Sequence, residues 1–456
     1  MQFHKGTYGK ETIEANSLVQ NLLKYPEISK TLIRQYPQYS LNYFVDGTSR
    51  FAKEDLIGDN SFKWAILGRL NRPSTLTGGG AGSGVGIGTF TFETEENYLN
   101  PNDVVKFKDG TQAIILGEPV SSALGYTFSA KLQTNDVTKV LAAGNIGIGL
   151  TVNTAGNAFP EGSERGYENH VYPDWYVNYL GTSRKAKSIT GSALTDITWI
   201  ENNGQRLWFF TDQKLMEEEF LYQRELSDWY DESTMDANGN PMVFGTDGKA
   251  IIKGDGVLKQ IDAANVDTYN GALSEERITD FLAQLALSTG SISSHWMVFT
   301  GTAGRVAFHR AMKELVYPSG NLVYDAKVGM EMEIGVNFTT YNALGHRLTL
   351  VHNPLFDDKN IHTDIDPATG YPKESFRMVF LDFGSTDGVS NVERKIKGAG
   401  GIDRSMIVKY IPGMVDPFDQ GSMKAANSRD AFTCEILSES CMVVRNPLSC
   451  GQLIFA

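Results

Sequence analysis

The chain has 456 residues, 41% of them hydrophobic, which is enough to fill the cores of roughly two to four domains. Its 41 Lys and Arg against 54 Asp and Glu give a formal net charge of −13, so the average surface repels phosphate and anionic lipid. This balance argues against a protein that wraps DNA directly, but it suits a container that encloses DNA without adhering to it.

The sequence carries no targeting or membrane signal. No apolar run reaches the ~18 to 20 residues that a membrane helix requires, and the first residues, MQFHKGTYGKETIE, lack the basic-then-apolar order of a secretory signal. We therefore expect synthesis in a cytosol and no membrane partner. Three cysteines fit no metal or redox spacing and are expected to be buried thiols: Cys434, Cys441 and Cys450.

The first 50 residues carry two short helical patterns, which end at Pro26 and Pro37. They contain too few apolar positions for a core, so we predict an arm that packs on something else. From Thr89 to about Thr151 the apolar period changes to two, and Asp109-Gly110 is a hairpin-turn pair between two apolar runs. This second segment predicts the strands of a small barrel or a long hairpin.

A glycine-rich stretch, TGGGAGSGVGIGTF, precedes these strands. It has neither the lysine of a Walker A loop nor the GxGxxG spacing of a dinucleotide site, and a strand follows it where such loops open a helix. Glycine adopts positive φ without steric cost, so a mobile loop explains the composition better. The predicted loop hinge consists of Gly78, Gly79, Gly80, Gly82, Gly84, Gly86 and Gly88.

A long helix is predicted from about Gln205 to Tyr230, because apolar residues recur there at helical spacing. Its predicted apolar stripe consists of Leu215, Tyr222, Leu226 and Trp229. The charged residues expected to lie largely off that stripe are Glu217, Glu218, Glu219, Arg224 and Glu225. Two hairpin turns are predicted after the helix, at Asn238-Gly239 and Asp247-Gly248.

A compact α/β unit follows in the prediction. Ser274 is the expected N-cap of a helix that Gly290 ends, HWMVFTG favours a buried strand, and AGRVAFHRAMKEL favours a second helix. The runs Arg347 to His352 and Arg377 to Gly384 are expected to complete the sheet. The segment after Ile402 again has the pattern of strands.

Patterns typical of catalysis and metal binding are absent or incomplete. The sequence has no HExxH or GxSxG, and its DFG, Asp382 to Gly384, lacks the other kinase motifs and favours a strand that enters a turn. The run from Asp236 to Asp247 resembles a calcium loop, but Pro241 replaces the required glycine. We therefore predict no enzyme, no cofactor and no metal site. A carboxylate pair for glycoside hydrolysis would meet only in space, so the sequence leaves it open.

Two basic clusters, RKAK at Arg184 to Lys187 and RKIK at Arg394 to Lys397, are expected on solvated strands or loops. On a protein this acidic, they could also pair with the run Glu217 to Glu219 of a neighbouring copy. The candidate subunit contacts are therefore Arg184, Lys185, Lys187, Glu217, Glu218 and Glu219.

The order of these parts resembles the α+β major capsid protein fold of tailed bacteriophages, the Hong Kong type, and within it the crAss-like phages of Bacteroidetes. In that resemblance GQRLWFFTDQKLMEEEFLYQRELSDWY is similar to the spine helix of the peripheral domain. The resemblance divides the chain into an N-terminal arm with the start of the peripheral domain (1–74), an extended loop with an inserted β module (75–170), the peripheral domain with spine helix and hairpin (171–255), an axial domain (256–401) and returning peripheral strands (402–456).

The resemblance implies a structural protein without catalytic residues, which assembles into pentamers and hexamers of an icosahedral head around double-stranded DNA. The implied partners are other copies of the chain and portal, scaffold and head decoration proteins. The implied location is the virion, after synthesis in the cytoplasm of the bacterial host. In this picture the glycine-rich loop is the hinge of an extension that reaches a neighbouring subunit.

Two alternatives remain at this point. The six Trp, 19 Tyr and acidic loops would suit a secreted or surface carbohydrate-active protein, although the absent signal pattern counts against it. Within the same fold, a bacterial nanocompartment shell would enclose proteins in place of DNA. The length and the enlarged loop favour the phage protein.

Overall fold

The computed structural model describes residue 41 and residues 54–67, 73–79, 88–163, 166–168, 170, 172–195, 208–289, 295–316, 340–386, 388–415 and 427–456. Most of the predicted N-terminal arm, and Gly80, Gly82, Gly84 and Gly86, lie outside these residues. The chain divides into two compact units: a larger unit of Met1–Trp64 with Val177–Ala456, and a barrel unit of Ala65–Tyr176.

Within the described residues, the helices are α1 (Gly191–Thr195), α2 (Trp208–Tyr230), α3 (Val257–Gln260), α4 (Glu275–Thr289) and α5 (Thr302–Val316). The strands are β1 (Glu54–Ile57), β2 (Ser61–Ile66), β3 (Ser74–Gly79), β4 (Thr89–Thr94), β5 (Asp103–Lys106), β6 (Gln112–Ile115), β7 (Val120–Ser122), β8 (Gly125–Leu132), β9 (Thr151–Asn157), β10 (Asp174–Tyr179), β11 (Gly181–Thr190), β12 (Val266–Tyr269), β13 (His295–Thr300), β14 (Thr340–Ala343), β15 (His346–His352), β16 (Met378–Asp382), β17 (Ser385–Thr386), β18 (Val389–Ser390), β19 (Val392–Ala399), β20 (Ile402–Asp403), β21 (Ile407–Pro412), β22 (Ala431–Val444) and β23 (Gly451–Phe455).

The barrel unit is a closed β barrel. Its strands pair in the cyclic order β3, β4, β8, β6, β5, β9 and back to β3, and each of these pairs is antiparallel. β7 adds to this sheet at β8. Closure gives the six strands of the ring a partner on both sides, which removes the unpaired edges that an open sheet would expose. The sequence-based prediction of a small barrel is confirmed.

Alternating side chains fill the barrel. Phe90 and Phe92 of β4 are buried, whereas Thr91 between them is exposed. The Phe92 ring stacks on Phe128 with centroids 5.5 Å apart and meets the Phe107 ring edge-on at 5.7 Å. These aromatic contacts form the centre of the barrel core, because each ring buries a large apolar area in a defined geometry.

A mixed sheet in the larger unit separates two cores. Its strand order is β12, β23, β16, β13, β15 and β14. Trp296 and Val298 of the central strand β13 face the core that α4 and α5 cover, whereas Met297 and Phe299 face a second core around Trp229. The predicted strands at β13, β15 and β16 are confirmed, and so is the Ser274 cap of α4, where Arg277 N donates to Ser274 Oγ at 3.2 Å.

Helix α2 packs on a second sheet of the larger unit. That sheet has the order β1, β19, β22 and β11, with β21 paired to β22 and β20 to β19. Met216 and Phe220 of α2 contact Cys434 and Ile436 of β22. The predicted long helix is therefore confirmed from residue 208 to Tyr230.

The predicted apolar stripe of α2 is only partly correct. Trp229 is fully buried, but Leu215, Tyr222 and Leu226 are half-buried, and Glu225, predicted off the stripe, is fully buried. The Glu225 carboxylate accepts hydrogen bonds from Leu41 N at 2.7 Å and from Trp229 Nε1 at 3.2 Å. Apolar spacing cannot identify a buried carboxylate, because such a group is tolerated only where the tertiary fold supplies donors.

The C-terminal segment contributes to both sheets of the larger unit. β22 pairs with β11, β19 and β21 in one sheet, and β23 then lies between β12 and β16 in the other. The segment 402–456, predicted to supply returning peripheral strands, therefore contributes strands to two different sheets. The α+β class is confirmed, while the peripheral and axial domain boundaries remain predictions.

Candidate functional site

The predicted subunit contacts lie on β11 and α2. Lys185 is opposite Ile436 of β22, on the side of the sheet that α2 covers, and it forms an ion pair with Glu219 of the same chain. Arg184 points to the other side of the sheet, where its guanidinium lies 3.4 Å from Glu435. The Lys185 and Glu219 charges, expected to pair between copies, are therefore partners within one chain, because α2 crosses the sheet beside β11.

The second basic cluster is not solvated. The Arg394 side chain on β19 is 1% exposed, 2.5 Å from Asp228 of α2 and 3.3 Å from Glu54 of β1. This corrects the prediction of a solvated strand or loop at Arg394 to Lys397. Burial alone would lower the pKa of Arg394, but Asp228 and Glu54 raise it, so the guanidinium stays charged. The Arg394 guanidinium thus links β19 to α2 and β1 through ion pairs at a site without solvent access.

Lys395 makes a parallel set of contacts on the other face of β19. Its ammonium lies 2.6 Å from Asp55 of β1 and 2.9 Å from Glu393, and it stands 4.4 Å from the centre of the Phe62 ring. The two cations thus hold β1 against β19 by ion pairs in addition to backbone pairing. We assign this cluster a structural role, since both cations are buried and each is paired with carboxylates of the same chain.

A sequence signal for this cluster existed but was missed. β1 reads EDLI and β19 contains RKIK, and the strands pair in parallel with Glu54 opposite Arg394 and Asp55 opposite Lys395. Acidic residues of one segment opposite basic residues of another are compatible with neighbouring strands. The only sequence indication that Asp228 belongs to this cluster is its position directly before the apolar Trp229 on the predicted helix.

A second polar cluster surrounds the start of α5. The Asp357 carboxylate accepts hydrogen bonds from Thr302 N at 2.8 Å and Ser375 Oγ at 2.5 Å, and its other oxygen lies 2.8 Å from His352 Nε2. Ala303 N donates to Ser375 Oγ at 2.9 Å. The Ser375 hydroxyl thus donates to the carboxylate and accepts from the first turn of α5, and both Asp357 and Ser375 contact backbone N–H groups at that helix end. The cluster caps the helix from a distant loop.

The variant Asp357→Asn is expected to lower the free energy of unfolding of the larger unit by about 1–2 kcal/mol at pH 7. Burial would raise the pKa of Asp357, but hydrogen bonds from His352, Ser375 and Thr302 lower it overall. Its stabilising effect is therefore present above the unfolded carboxyl pKa of about 4 and disappears as the pH falls through the lower folded value. Urea unfolding at several pH values measures this difference.

The matched control is Asp364→Asn, an exposed carboxylate 3.3 Å from Lys373. It should change the free energy of unfolding by no more than about 0.5 kcal/mol. A loss at Asp357→Asn that stays constant from pH 7 to pH 2 would contradict the assigned role of the ionised carboxylate.

After α2 the chain forms a hairpin extension, here called the tongue (Thr234–Lys253). Its strands are joined by Thr234 N to Lys253 O at 3.1 Å and Ile251 N to Val243 O at 2.9 Å. Both predicted turns are confirmed, since Gly239 and Gly248 adopt φ of 82° and 73°. The Asp236 carboxylate, first residue of the calcium-like run, already accepts from Asn238 N at 2.9 Å and Asn240 N at 2.7 Å.

The tongue carries exposed apolar side chains. Met242 and Phe244 are 60% and 57% exposed, and Val243 and Ile251 are also exposed. A soluble monomer rarely keeps a contiguous apolar patch in water, and such patches mark protein interfaces. The sequence analysis identified the turns of this hairpin but not its exposure.

The described part of the glycine-rich stretch lies in the barrel unit. Gly78 and Gly79 end β3 opposite Glu93 and Phe92 of β4, and Gly88 directly precedes β4. The stretch therefore joins two neighbouring strands of one sheet. This position differs from the predicted strap at the border of the module, because the module begins earlier in the chain than the alternating pattern does.

The three cysteines predicted to be buried thiols are buried in the structure. Burial raises the pKa of the Cys441 and Cys450 thiols to about 12 and that of Cys434 to about 11, as expected for unreactive buried thiols. Among the described residues, no group of three or more His, Cys, Asp or Glu side chains could hold a metal ion. No helix there has the length and apolar character to cross a membrane.

Comparison with known protein families identifies the kind of protein that carries these surfaces. The family model of the crassvirus major capsid protein matches residues 1–456. The chain belongs to this family. A major capsid protein is a structural component of the virion, so membership confirms the capsid resemblance and its fold class.

Individual relatives of this capsid protein are distant. The major capsid protein of Bacteroides phage crAss001 is 28% identical over 180 residues, which span 36% of this chain and about a third (35%) of the relative. A chain of Gordonia phage Cozz is 9% identical with a TM-score of 0.42, covering 100% of this chain and 98% of that one. The SrpI encapsulin of Synechococcus elongatus is 12% identical with a TM-score of 0.34, covering 62% and 75%.

Membership in a capsid family also bears on the alternatives. A secreted carbohydrate-active protein has no support from it, and the family is a phage family rather than one of nanocompartment shells. The capsid protein thus has two surfaces of interest: the exposed tongue, and the charged strands and helices of the larger unit.

Proposed function

We propose that copies of this capsid protein assemble into the pentamers and hexamers of an icosahedral head that encloses double-stranded DNA. In this proposal the protein is made in the host cytoplasm and meets portal, scaffold and head decoration proteins during assembly. Family membership over all 456 residues supports the class of function. The observation that carries the proposal is the uncovered apolar surface of the tongue.

The tongue supports assembly because of what it exposes. Met242, Val243 and Phe244 are consecutive and all exposed, and Ile251 is exposed on the opposing strand of the hairpin. Burial of such side chains against a neighbour is favourable by about 25 cal/mol per Å². A hairpin with exposed apolar side chains can add contact area with a neighbouring copy without a larger subunit core.

The charge supports an enclosing role rather than adhesion to DNA. With a formal net charge of −13, a shell of many copies carries the same sign as the packaged polymer.

The glycine-rich segment keeps a proposed role in assembly. Its described ends are Gly79, which ends β3, and Gly88, which directly precedes the neighbouring strand β4, and the role of these glycines as a hinge stays a proposal. The expected contact of this loop is a neighbouring subunit. Arg184, Lys187, Glu217 and Glu218 remain proposed contacts as well.

The variant Phe244→Asp is expected to raise the protein concentration needed for assembly by at least about tenfold, since it places a charge in an apolar contact. Sedimentation velocity and negative-stain microscopy of the full chain measure rings, sheets and shells. Far-ultraviolet circular dichroism should match the wild type, because the side chain is exposed in the monomer.

Lys249→Ser is the matched control, an exposed and non-apolar position of the same tongue. It should assemble at wild-type concentrations. A wild-type chain that stays strictly monomeric, even with its genomic neighbours co-expressed, would refute the proposed function, whereas normal assembly of Phe244→Asp would refute the part assigned to the tongue.

A further inference from the structure

Two neighbouring helices of the larger unit present exposed charges of opposite sign. α4 and α5 cover the same core above the mixed sheet. On α4, Glu276 and Asp280 are exposed one turn apart, and on α5, Arg305 and Arg310 are exposed. The same layer therefore has an acidic helix and a basic helix side by side.

Among the residues that the structure describes, these four charged side chains form no ion pair. Arg277, directly beside Glu276, lies 2.6 Å from Asp267. Lys259 lies 2.6 Å from Glu232, so some exposed charges of this unit do have a partner within the chain. The charges on α4 and α5 are thus available to an external partner of opposite sign.

Local helix energetics do not account for Arg305. α5 begins at Thr302, and Arg305 lies in its first turn, where the helix dipole disfavours a cation. Asp357 already caps this helix end through Thr302 N, and Arg305 makes no ion pair with it. A contact outside the described chain would explain a cation at this position.

Apolar side chains accompany the charges on both helices. Leu287 lies three turns after Glu276 on the same side of α4 and is exposed, and Val306 lies exposed between Arg305 and Arg310. A surface of this kind, with an apolar centre and a charged rim, is typical of protein interfaces.

We propose that the acidic face of α4 on one copy binds the exposed arginines of α5 on the next copy around a capsomer ring. This contact rests on the proposed assembly and names its charged partners. The acidic and the basic side chains belong to two different helices, so a contact between them joins different surfaces of two copies. Such a heterologous contact closes into a ring when the rotation allows. Opposite charges set the register of that contact and speed encounter.

The test is charge reversal with rescue in the full chain. Glu276→Lys with Asp280→Lys, and separately Arg305→Glu with Arg310→Glu, should each raise the concentration needed for assembly by about tenfold, because like charges then meet. The variant with all four substitutions restores opposite signs and should assemble within about twofold of the wild type. Circular dichroism checks that each variant is folded.

A mixture of the two reversed variants gives a sharper result. One variant then carries only positive faces on α4 and α5, and the other only negative faces, so contacts form only between unlike chains. Alternation closes a ring of even number but not one of odd number. The mixture should therefore recover six-membered rings in microscopy and no five-membered rings.

The control is Lys359→Glu, an exposed cation of the same unit outside both helices, compared with Arg305→Glu. Both change the net charge equally, and only Arg305→Glu should impair assembly. Reversed variants that assemble like the wild type, or a fourfold variant that stays impaired, would overturn this contact while the proposed function stands. Failure of the wild type itself to assemble would overturn the proposed function, and the contact with it.

Discussion

The variant Arg394→Met is expected to lower the free energy of unfolding of the larger unit by about 3–5 kcal/mol. The methionine fills much of the space but leaves Asp228 and Glu54 close together without their shared cation. Asp228 is buried, so its carboxylate cannot recover the lost interaction from water. Urea-induced unfolding measures this loss in the free energy of unfolding, and calorimetry provides a second measurement.

Two comparisons make this result specific to the buried cluster. Arg184→Met removes an exposed cation 3.4 Å from Glu435 and should cost no more than about 1 kcal/mol. The double variant Arg394→Met with Asp228→Leu should lose less than the sum of the single losses, because it removes both charges of the pair. Equal costs for Arg184→Met and Arg394→Met would show that the cluster is solvated after all.

The variant Phe92→Ala is expected to destabilise the barrel unit by about 3–5 kcal/mol. Phe92 is fully buried and contacts Phe128, Phe107 and Phe90, so its removal leaves a cavity that the closed barrel cannot collapse to fill. Calorimetry of the full chain should show a lower melting temperature for the transition of the barrel unit. The melting temperature of the larger unit should stay unchanged.

The control is Leu124→Ala in the same unit, at the exposed tip between β7 and β8. It should change stability by no more than about 0.5 kcal/mol. A single transition that shifts as a whole in Phe92→Ala would contradict independent unfolding of the two units.

The two buried features behind these predictions differed in how far they could be predicted. The alternating apolar pattern from Thr89 predicted a strand, and strand geometry places its alternate residues Phe90 and Phe92 on one face. Arg394 and Lys395 were assigned to solvent, because Lys and Arg are rarely buried unless paired. Their partners on β1 and α2 lie about 340 and 166 residues away in sequence.

The features of the candidate surfaces also differed in how far the sequence predicted them. The turns of the tongue were predicted from Asn238-Gly239 and Asp247-Gly248, because positive φ favours these residues. That Met242 and Phe244 remain exposed could not be predicted, since a run of apolar residues equally suits a core strand. The pairing of Lys185 with Glu219 within one chain likewise follows from where α2 crosses β11.

The sequence by itself determined the elements whose cause is local: the long helix, the barrel strands, the cap at Ser274 and the order of parts that resembles a phage capsid protein. Helical and strand periods, caps and turns depend on neighbours a few residues apart, so the chain carries them directly. Only the tertiary structure decided the buried ion pairs, the distant cap at Asp357, the closure of the barrel and the charges left unpaired on α4 and α5. These depend on which distant segments meet, because burial and pairing of a charge are properties of its surroundings and not of its place in the chain.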